Sequence, residues 1–401
     1  MEHFNIVQAL CRSALAQPSS AVTKQVERLR DALVTSGQEG EGKKLDALLN
    51  SANKISDMSP SRIQQSRMMF SGEELFPNTP LPVDKETSSP IAEVAFPNTL
   101  PNIAPEFDPK VSLAVQSILN EWCHLDELAK IEAYPSRSCL IYGAPGTGKT
   151  HLALWMAQQM NMPVVLVRLD GLMSSFLGTT SRNIGNLFRF ASRYNCILLL
   201  DEFDAIAKLR NDPQEVGEIK RVVNTLLQNL DSRRDTGFTI GITNHESLLD
   251  PAVWRRFDVQ IEIPKPSPQV MASILEKHLI PLSFDSEEIQ FLTWCLEGGT
   301  GADLKALVQW LKKSHVIEGE VKGNLVELLQ RFALLNTGRV DRSKRNILAH
   351  SDMQLIAALL KEDRFDFKQK DVASLMGMTP STMSKRIAKI RETGGELSYA
   401  Q

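Results

Sequence analysis

Between residues 107 and 265, short apolar runs alternate with stretches whose apolar residues recur at helical spacing. The runs are 138–142, 163–168, 196–201, 238–243 and 259–263. Each has strand length, and a run such as Cys196-Ile197-Leu198-Leu199-Leu200 has no polar face to offer water. That pattern fits strands covered on both sides. The alternation predicts a parallel sheet with helices on both faces, an α/β fold. Residues 266–338 carry Leu, Ile and Trp at helical spacing and predict several helices.

The flanking regions follow other patterns. In residues 1–70, Ile6, Leu10 and Ala14, then Val22, Val26, Leu29 and Leu33, recur every three or four positions. This predicts a small helical N-terminal unit, with Ser19 or Ser20 capping its second helix. Such a unit serves as an adaptor or assembly contact, or packs as a bundle on the main domain; the sequence leaves both open. In residues 71–106 prolines recur and apolar periodicity is lost, which predicts a Pro-rich linker. Within it Phe76-Pro77-Asn78-Thr79 is echoed by Phe96-Pro97-Asn98-Thr99, either a chance echo or a pair of docking motifs. A basic, polar joint from Arg339 to Arg345 precedes a last helical region, 346–401.

At 401 residues the chain has room for two or three domains, one with a sizeable core. A net charge of −3 excludes a wholly basic nucleic-acid coat, so any nucleic-acid surface must be local. No apolar run approaches a membrane span, and no membrane role is expected. Ala14-Leu15-Ala16 resembles a leader cleavage site, but Glu2 and Arg12 interrupt the region and favour an amphipathic helix. The five cysteines, Cys11, Cys123, Cys139, Cys196 and Cys295, stand far apart without a Cys-x-x-Cys pair. A disulfide framework or metal site is not expected, and a reducing cytoplasm is.

The chemistry is concentrated at two strand ends. After Ser138-Cys139-Leu140-Ile141-Tyr142 comes Gly143-Ala144-Pro145-Gly146-Thr147-Gly148-Lys149-Thr150, followed by a helix-like stretch from His151 to Met160. This is the strand–loop–helix setting of a phosphate-binding loop. Glycines let the backbone turn its N–H groups onto phosphate oxygens, and the helix N-terminus adds partial positive charge. Lys149 would reach the β- and γ-phosphates of ATP, and the Thr150 hydroxyl would hold Mg²⁺. His151 joins the candidate nucleotide-binding residues as the first residue of the helix-like stretch. The run 196–200 ends in Asp201-Glu202. Asp201 would hold the Mg²⁺ shell, and Glu202 would orient and polarise an attacking water.

With both motifs placed, residues 107–315 resemble the AAA family of ATPases. The residues behind the resemblance are Phe203-Asp204-Ala205-Ile206, the strand 238–243 ending at Asn244, and Leu249-Asp250-Pro251-Ala252-Val253-Trp254-Arg255-Arg256-Phe257-Asp258. The resemblance implies a P-loop NTPase sheet with a helical lid over 266–338. It makes Asn244 the sensor-1 residue, close to the γ-phosphate and the lytic water. It makes Arg255 and Arg256 arginine fingers that reach the nucleotide of the adjacent subunit, which requires a ring, by analogy a hexamer. The usual insertion between the arginines is absent, so the main finger is open between them. Gly299-Thr300-Gly301-Ala302-Asp303-Leu304 resembles the sensor-2 region, with Gly301 and Ala302 at the nucleotide and Asp303 as a helix cap. Phe176-Leu177-Gly178 matches the aromatic–aliphatic–Gly pore loop of protein-translocating rings, which grips polypeptide without reading its sequence; a Phe anchoring its loop to the core is the alternative.

A narrower resemblance rests on Val167-Arg168-Leu169-Asp170-Gly171-Leu172, Glu218-Ile219-Lys220-Arg221-Val222-Val223-Asn224 and the Arg-Arg-Phe-Asp ending. These look like bacterial AAA ATPases paired with a subtilisin-like serine protease in plasmid-incompatibility and anti-phage systems. This chain carries no protease triad signature, so any peptidase activity belongs to a partner.

Residues 369–387 resemble a helix-turn-helix. Ala373 sits at the close approach, Gly377 at the turn, and Val372, Met376, Met378, Met383 and Ile387 in its core. Thr379-Pro380 starts the second helix, which offers Ser381, Thr382, Ser384, Lys385 and Arg386 to double-stranded DNA. Asp363, Asp366, Asp371 and Glu392 weaken the basic footprint, and a helical hairpin for protein contacts fits as well. The leading expectation is a ring-forming ATPase that remodels or threads protein. A DNA-bound regulator and an ATP-switched sensor are its rivals.

Overall fold

The apolar runs become neighbours in one six-stranded sheet. The computed structural model describes residues 7, 20–36, 38, 40–46, 49, 72–84, 88–169, 177–204, 216–233, 237–319 and 325–392. It divides into two units, Met1–Gln64 and Gln65–Gln401.

In the first unit, helix α1 spans Ser20–Thr35, and residues 40–46 are helical. Val26 and Leu33 of α1 are buried with Leu45 and Leu49, and Leu29 packs beside them. Arg30 bridges the two segments, pairing with Asp31 at 2.7 Å and Asp46 at 3.1 Å.

The second unit holds the α/β layers. Strand β1 is Glu93–Ala95. Helices α2 (Pro109–Cys123) and α3 (Leu125–Lys130) follow. Then come β2 (Ser138–Tyr142), α4 (Lys149–Gln159), β3 (Val164–Arg168) and α5 (Leu177–Arg193). Next are β4 (Ile197–Asp201), α6 (Val216–Ser232), β5 (Phe238–Thr243), α7 (Pro251–Trp254) and β6 (Val259–Glu262). The order across the sheet is β1-β3-β4-β5-β2-β6. Only β1 runs antiparallel, against β3.

Strand alternation explains why these runs read as wholly apolar. Cys139, Ile141, Ile197 and Leu199 point to one face, where they meet Trp122 of α2 and Met156 of α4. Leu140, Leu198 and Leu200 point to the other, against Phe188 of α5 and Leu226 of α6. Both faces are dry, so strand residues on either side are apolar unless hydrogen-bonded, as the hydroxyls of Thr239 and Thr243 are. Burying one such leucine is worth roughly 1.5–3 kcal/mol.

The stretch read as a linker lies against this core. Glu73 pairs with Arg193 at 3.1 Å, Leu75 and Ala92 enter one apolar face, and Leu100 enters the other. Both Phe-Pro-Asn-Thr copies form a turn, with Thr79 N donating to Phe76 O at 3.0 Å and Thr99 N to Phe96 O at 2.8 Å.

Beyond β6 the chain is helical: α8 (Pro268–Leu279), α9 (Ser286–Cys295), α10 (Gly301–Glu318), α11 (Leu325–Leu335), α12 (Arg342–Ala349), α13 (Asp352–Leu360), α14 (Gln369–Leu375) and α15 (Pro380–Glu392). Residues 266–338 and 346–392, assigned to separate segments from sequence, share one apolar core that runs from Met271 to Ile387. Trp294 of α9, Phe365, Val372 of α14 and Met383 of α15 all belong to it. Among the described residues no helix is long and apolar enough to cross a membrane.

Candidate nucleotide-binding site

Sheet order brings the chemistry together. Strand β5 lies between β2 and β4, so their C-terminal ends stand side by side. The end of β2 carries the glycine-rich loop, that of β5 Asn244, and that of β4 Asp201-Glu202, at the carboxyl edge where parallel sheets place ligands.

Between β2 and α4 the loop makes two turns that side chains would obstruct. Gly143 stands at φ 137°, and a Cβ there would collide with the Ile263 carbonyl. Gly146 stands at φ 79°, and a Cβ there would lie 2.8 Å from Thr300 Oγ1. Lys149 is buried, and its Nζ donates to Gly143 O at 2.8 Å and Ala144 O at 2.7 Å. Burial pushes the Lys149 ammonium below its ordinary pKa, while Asp201, then Asp204 and Glu246, oppose that shift.

The Thr150 hydroxyl donates to Asp201 Oδ2 at 3.0 Å. A hydroxyl and a carboxylate meeting at one point are hard oxygen donors of the kind Mg²⁺ takes, so the residues fit the ion. Glu202 N donates to Asp201 Oδ1 at 2.8 Å. Glu202 itself adopts φ 56°, a left-handed value that costs a non-glycine residue about 1–3 kcal/mol. Its carboxylate lies 3.8 Å from the Arg168 guanidinium.

These groups border a cleft of about 620 Å³. Pro145 to His151, Asp201, Glu202, Asn244, Gly301 and Ala302 all reach it. Gly143 and Ala144 stand behind it, holding Lys149. The lid closes one side, with Ala302 N donating to Gly146 O at 3.0 Å. Asp303 Oδ2 accepts from Thr300 N at 2.9 Å and Thr300 Oγ1 at 2.8 Å, fixing the start of α10.

Sequence reasoning missed several further residues that line the cleft. Phe107 just before α2, Ile274 and His278 from α8, and Lys305, Gln309 and Lys312 from α10 are among them. Burial, together with repulsion from Lys277, Lys312, His151 and Lys305, holds the His278 imidazolium below its ordinary pKa. A neutral ring at pH 7 follows. No spacing motif marks these residues, because three separate elements supply them.

Arg255 and Arg256 lie outside this cleft's lining. Asp250 caps α7 by accepting from Ala252 N at 2.8 Å, and the two arginines follow that short helix. Arg256 Nε donates to Asp231 Oδ2 at 2.9 Å. Arg255 is exposed and makes no ion pair among the described residues. Phe257 is core, and Asp258 Oδ2 accepts from the backbone of Arg137 and Ser138 at 2.9 and 3.0 Å, anchoring β2. Phe176 lies outside the described residues, and Leu177 and Gly178 begin the described part of α5. On α15, Ser381, Thr382, Ser384 and Lys385 are exposed, while Arg386 pairs with Asp352 at 3.0 Å.

Residues 139–265 match the model of the ATPase family associated with various cellular activities (AAA). An uncharacterized AAA family ATPase, y4kL, of Sinorhizobium fredii is 35% identical over 203 residues, 50% of this chain and 61% of that protein. A proteasome-activating nucleotidase of Thermococcus onnurineus is 33% identical over 191 residues, 46% of this chain and 48% of that protein. The chain thus spans about half to three fifths of the length of these two curated relatives. The crystal structure of the FIGL-1 AAA domain covers 64% of this chain and 90% of its own, at 20% identity and a TM-score of 0.49. With the glycine-rich loop, Asp201-Glu202 and Asn244 gathered at adjacent strand ends, residues 139–265 are similar to an AAA ATPase domain.

Proposed function

We propose that this chain hydrolyses ATP in the cleft and works as a head-to-tail ring, by analogy a hexamer, that remodels or threads polypeptide. The observation that carries the hydrolysis is the Thr150–Asp201 contact beside Lys149, with Glu202 and Asn244 on the same cleft. Lys149 binds the β- and γ-phosphates, and Thr150 and Asp201 hold Mg²⁺, which when bound neutralises phosphate charge. Glu202 takes a proton from the attacking water, and Asn244 orients that water. Among the cleft's lining residues, the apolar Phe107 and Ile274 and the neutral His278 ring suit a purine and its ribose.

The ring is inferred from the arginines. Arg256 is engaged by Asp231 of its own subunit, which leaves exposed Arg255 as the finger for the neighbour's nucleotide. Protein as substrate is supported by the likeness to a proteasome-activating nucleotidase and by the Phe176-Leu177-Gly178 pattern. The partner we infer is a separate protease that receives the threaded chain, of the subtilisin-like class and in the defence or plasmid-incompatibility setting implied by the narrower sequence resemblance. The test is turnover by the wild type and by Glu202→Gln, with unfolded protein or double-stranded DNA added and mass followed by light scattering. The expected result is stimulation by polypeptide with ring formation, and a variant that binds ATP without turnover. Loss of ATP binding in Glu202→Gln contradicts the assigned role.

A second reading is favoured by α15. Its exposed Ser381, Thr382, Ser384 and Lys385 suit a recognition helix for double-stranded DNA, with α14 as the supporting helix. Arg386 is tied to Asp352, which lowers its value for phosphate. Stimulation by DNA alone, abolished by Lys385→Ala, selects this reading.

A further inference from the structure

Strands β4 and β5 are joined beyond their ladder at three points. Phe203 N donates to Ile242 O at 2.8 Å. The Thr243 hydroxyl donates to Asp204 Oδ1 at 3.2 Å, and Asn244 N donates to the same oxygen at 3.4 Å. Asp204 is 2% exposed and Thr243 is fully buried. Thr243 Oγ1 also accepts from His245 N at 3.1 Å. A carboxylate is costly to bury unless its oxygens are hydrogen-bonded, so its place here is a specific one.

What Asp204 joins is the pair of groups that must address one water. Glu202 stands two residues before it on the β4 side, held by a left-handed turn at φ 56°. Asn244 stands on the β5 side, with its backbone N–H on Asp204 itself. The carboxylate is absent from the described lining of the cleft, so it acts through its neighbours. We propose that Asp204 is a positioning residue: it staples the turn after β4 to the end of β5 and thereby fixes Asn244 relative to Glu202. The staple rests on the hydrolysis proposed above and deepens it. A displacement of about 1 Å between reacting groups can cost about 100-fold in rate. One buried oxygen that takes both the Thr243 hydroxyl and the Asn244 amide removes that freedom.

Asp204 has a second effect, on charge. It lies close enough to Lys149 to favour the ammonium, after Asp201 in size. Substitutions separate the two effects. Asp204→Asn keeps an acceptor oxygen and loses the charge. Asp204→Ala loses both. Thr243→Val keeps the shape of a β-branched strand residue and removes one donor.

The experiment measures ATP turnover and fluorescent-ADP affinity on the full chain for the wild type and these three variants. Asp204→Ala is expected to lower kcat about 10- to 100-fold, with KM and ADP affinity within about threefold of the wild type. Asp204→Asn is expected to restore kcat to within about threefold, and Thr243→Val to lower it about 3- to 10-fold. If Asp204→Ala does not fold, Thr243→Val carries the test. Wild-type kcat in Thr243→Val overturns the staple, as does a parallel loss of kcat and affinity in a folded Asp204→Ala. Failure of Asp204→Asn to restore turnover would assign the effect to charge at Lys149 and overturn it too. A wild type that binds ADP but never turns over ATP sinks the hydrolysis reading and this inference with it, an outcome visible before any variant is compared.

Discussion

Arg168 and Glu202 close the ends of adjacent strands in an ion pair, guanidinium to carboxylate at 3.8 Å. In the β3–β4 register Arg168 stands opposite Asp201, so Glu202 is the first residue past the ladder. A carboxylate beside a guanidinium is a weaker base than a free one, because the cation favours its ionised form. Both side chains are partly solvent-exposed, which limits such a pair to about 1 kcal/mol, or about fivefold in population. Arg168→Ala should therefore raise basal kcat at saturating ATP by no more than about fivefold. Added salt should raise the wild-type rate in the same direction and leave the variant nearly flat, because salt screens exposed pairs. A variant slower than the wild type would show that Arg168 assists Glu202.

The two arginines after α7 lead to a mixing experiment. If Arg255 acts across subunits, Arg255→Ala and Glu202→Gln chains are each inactive alone. Mixed, they form interfaces that carry an intact Glu202 on one side and an intact Arg255 on the other. Turnover should return on mixing, to roughly a quarter of the wild-type rate if subunits assort at random and sites act independently. Arg256→Ala should behave differently. It breaks the 2.9 Å contact with Asp231 and should cost at most about 1 kcal/mol of stability, since both partners are partly exposed. Two inactive chains that stay inactive when mixed remove the trans role of Arg255.

The meeting of the glycine-rich loop with Asp201 at nearby strand ends was legible in sequence. A loop that makes tight turns beside a strand end tolerates few residue types, so Gly143, Gly146 and Lys149, followed by a hydroxyl at Thr150, stand out in sequence, as does a carboxylate ending an apolar run at Asp201. The buried strands were legible for a different reason: with both faces dry, Leu198 and Leu199 are apolar alike, and the five parallel strands fall within a residue of the expected runs. Strand β1 was not, because three residues among prolines give no period to detect. Nor was the rest of the cleft's lining, to which Phe107 and His278 come from separate elements only through folding. The shared core of the last eight helices was hidden for the same reason. Its joint depends on Lys344 over the Trp294 ring at 4.2 Å and on Gln290 donating to the Phe365 carbonyl, contacts between residues 50 and 75 positions apart.

The close approach of Gly146 to the lid can be tested by substitution and rescue. An added Cβ would meet Thr300 Oγ1 at 2.8 Å and Ala302 Cβ at 3.0 Å, at φ 79°. Left-handed backbone alone costs an alanine about 1–2 kcal/mol. Gly146→Ala should weaken nucleotide binding at least about tenfold, measured by fluorescent-ADP titration. Thr300→Ala in the same chain removes the hydroxyl and should recover part of that loss, although alone it costs about 1 kcal/mol of helix capping. A double variant no better than Gly146→Ala would mean that backbone strain, and not the lid contact, governs the loss.

Lys344 supplies the clearest pH dependence. Its ammonium lies 3.2 Å from Glu297 and 3.3 Å from Glu362, with its side chain 11% exposed. Arg364 adds a 2.7 Å contact to Glu297. Burial alone would raise the Glu297 carboxyl, but hydrogen bonds from Arg364 and Lys344 outweigh it and hold the group below its ordinary value of 4.5. A carboxyl depressed in the folded state binds protons more readily when unfolded. Its contribution is therefore complete above pH 4.5 and is lost as pH falls through the folded value. Urea unfolding between pH 6 and pH 3 should show stability falling from about pH 4.5 downward. Lys344→Met should cost about 3 kcal/mol at pH 7, the lower end for breaking a buried pair, because both carboxylates keep some water. The same variant should flatten the acid limb, since Glu297 then has one donor fewer to lose. A Lys344→Met chain with wild-type stability and an unchanged acid limb would mean that Arg364 alone sets Glu297, and that the joint between α9 and α12 is apolar packing around Trp294.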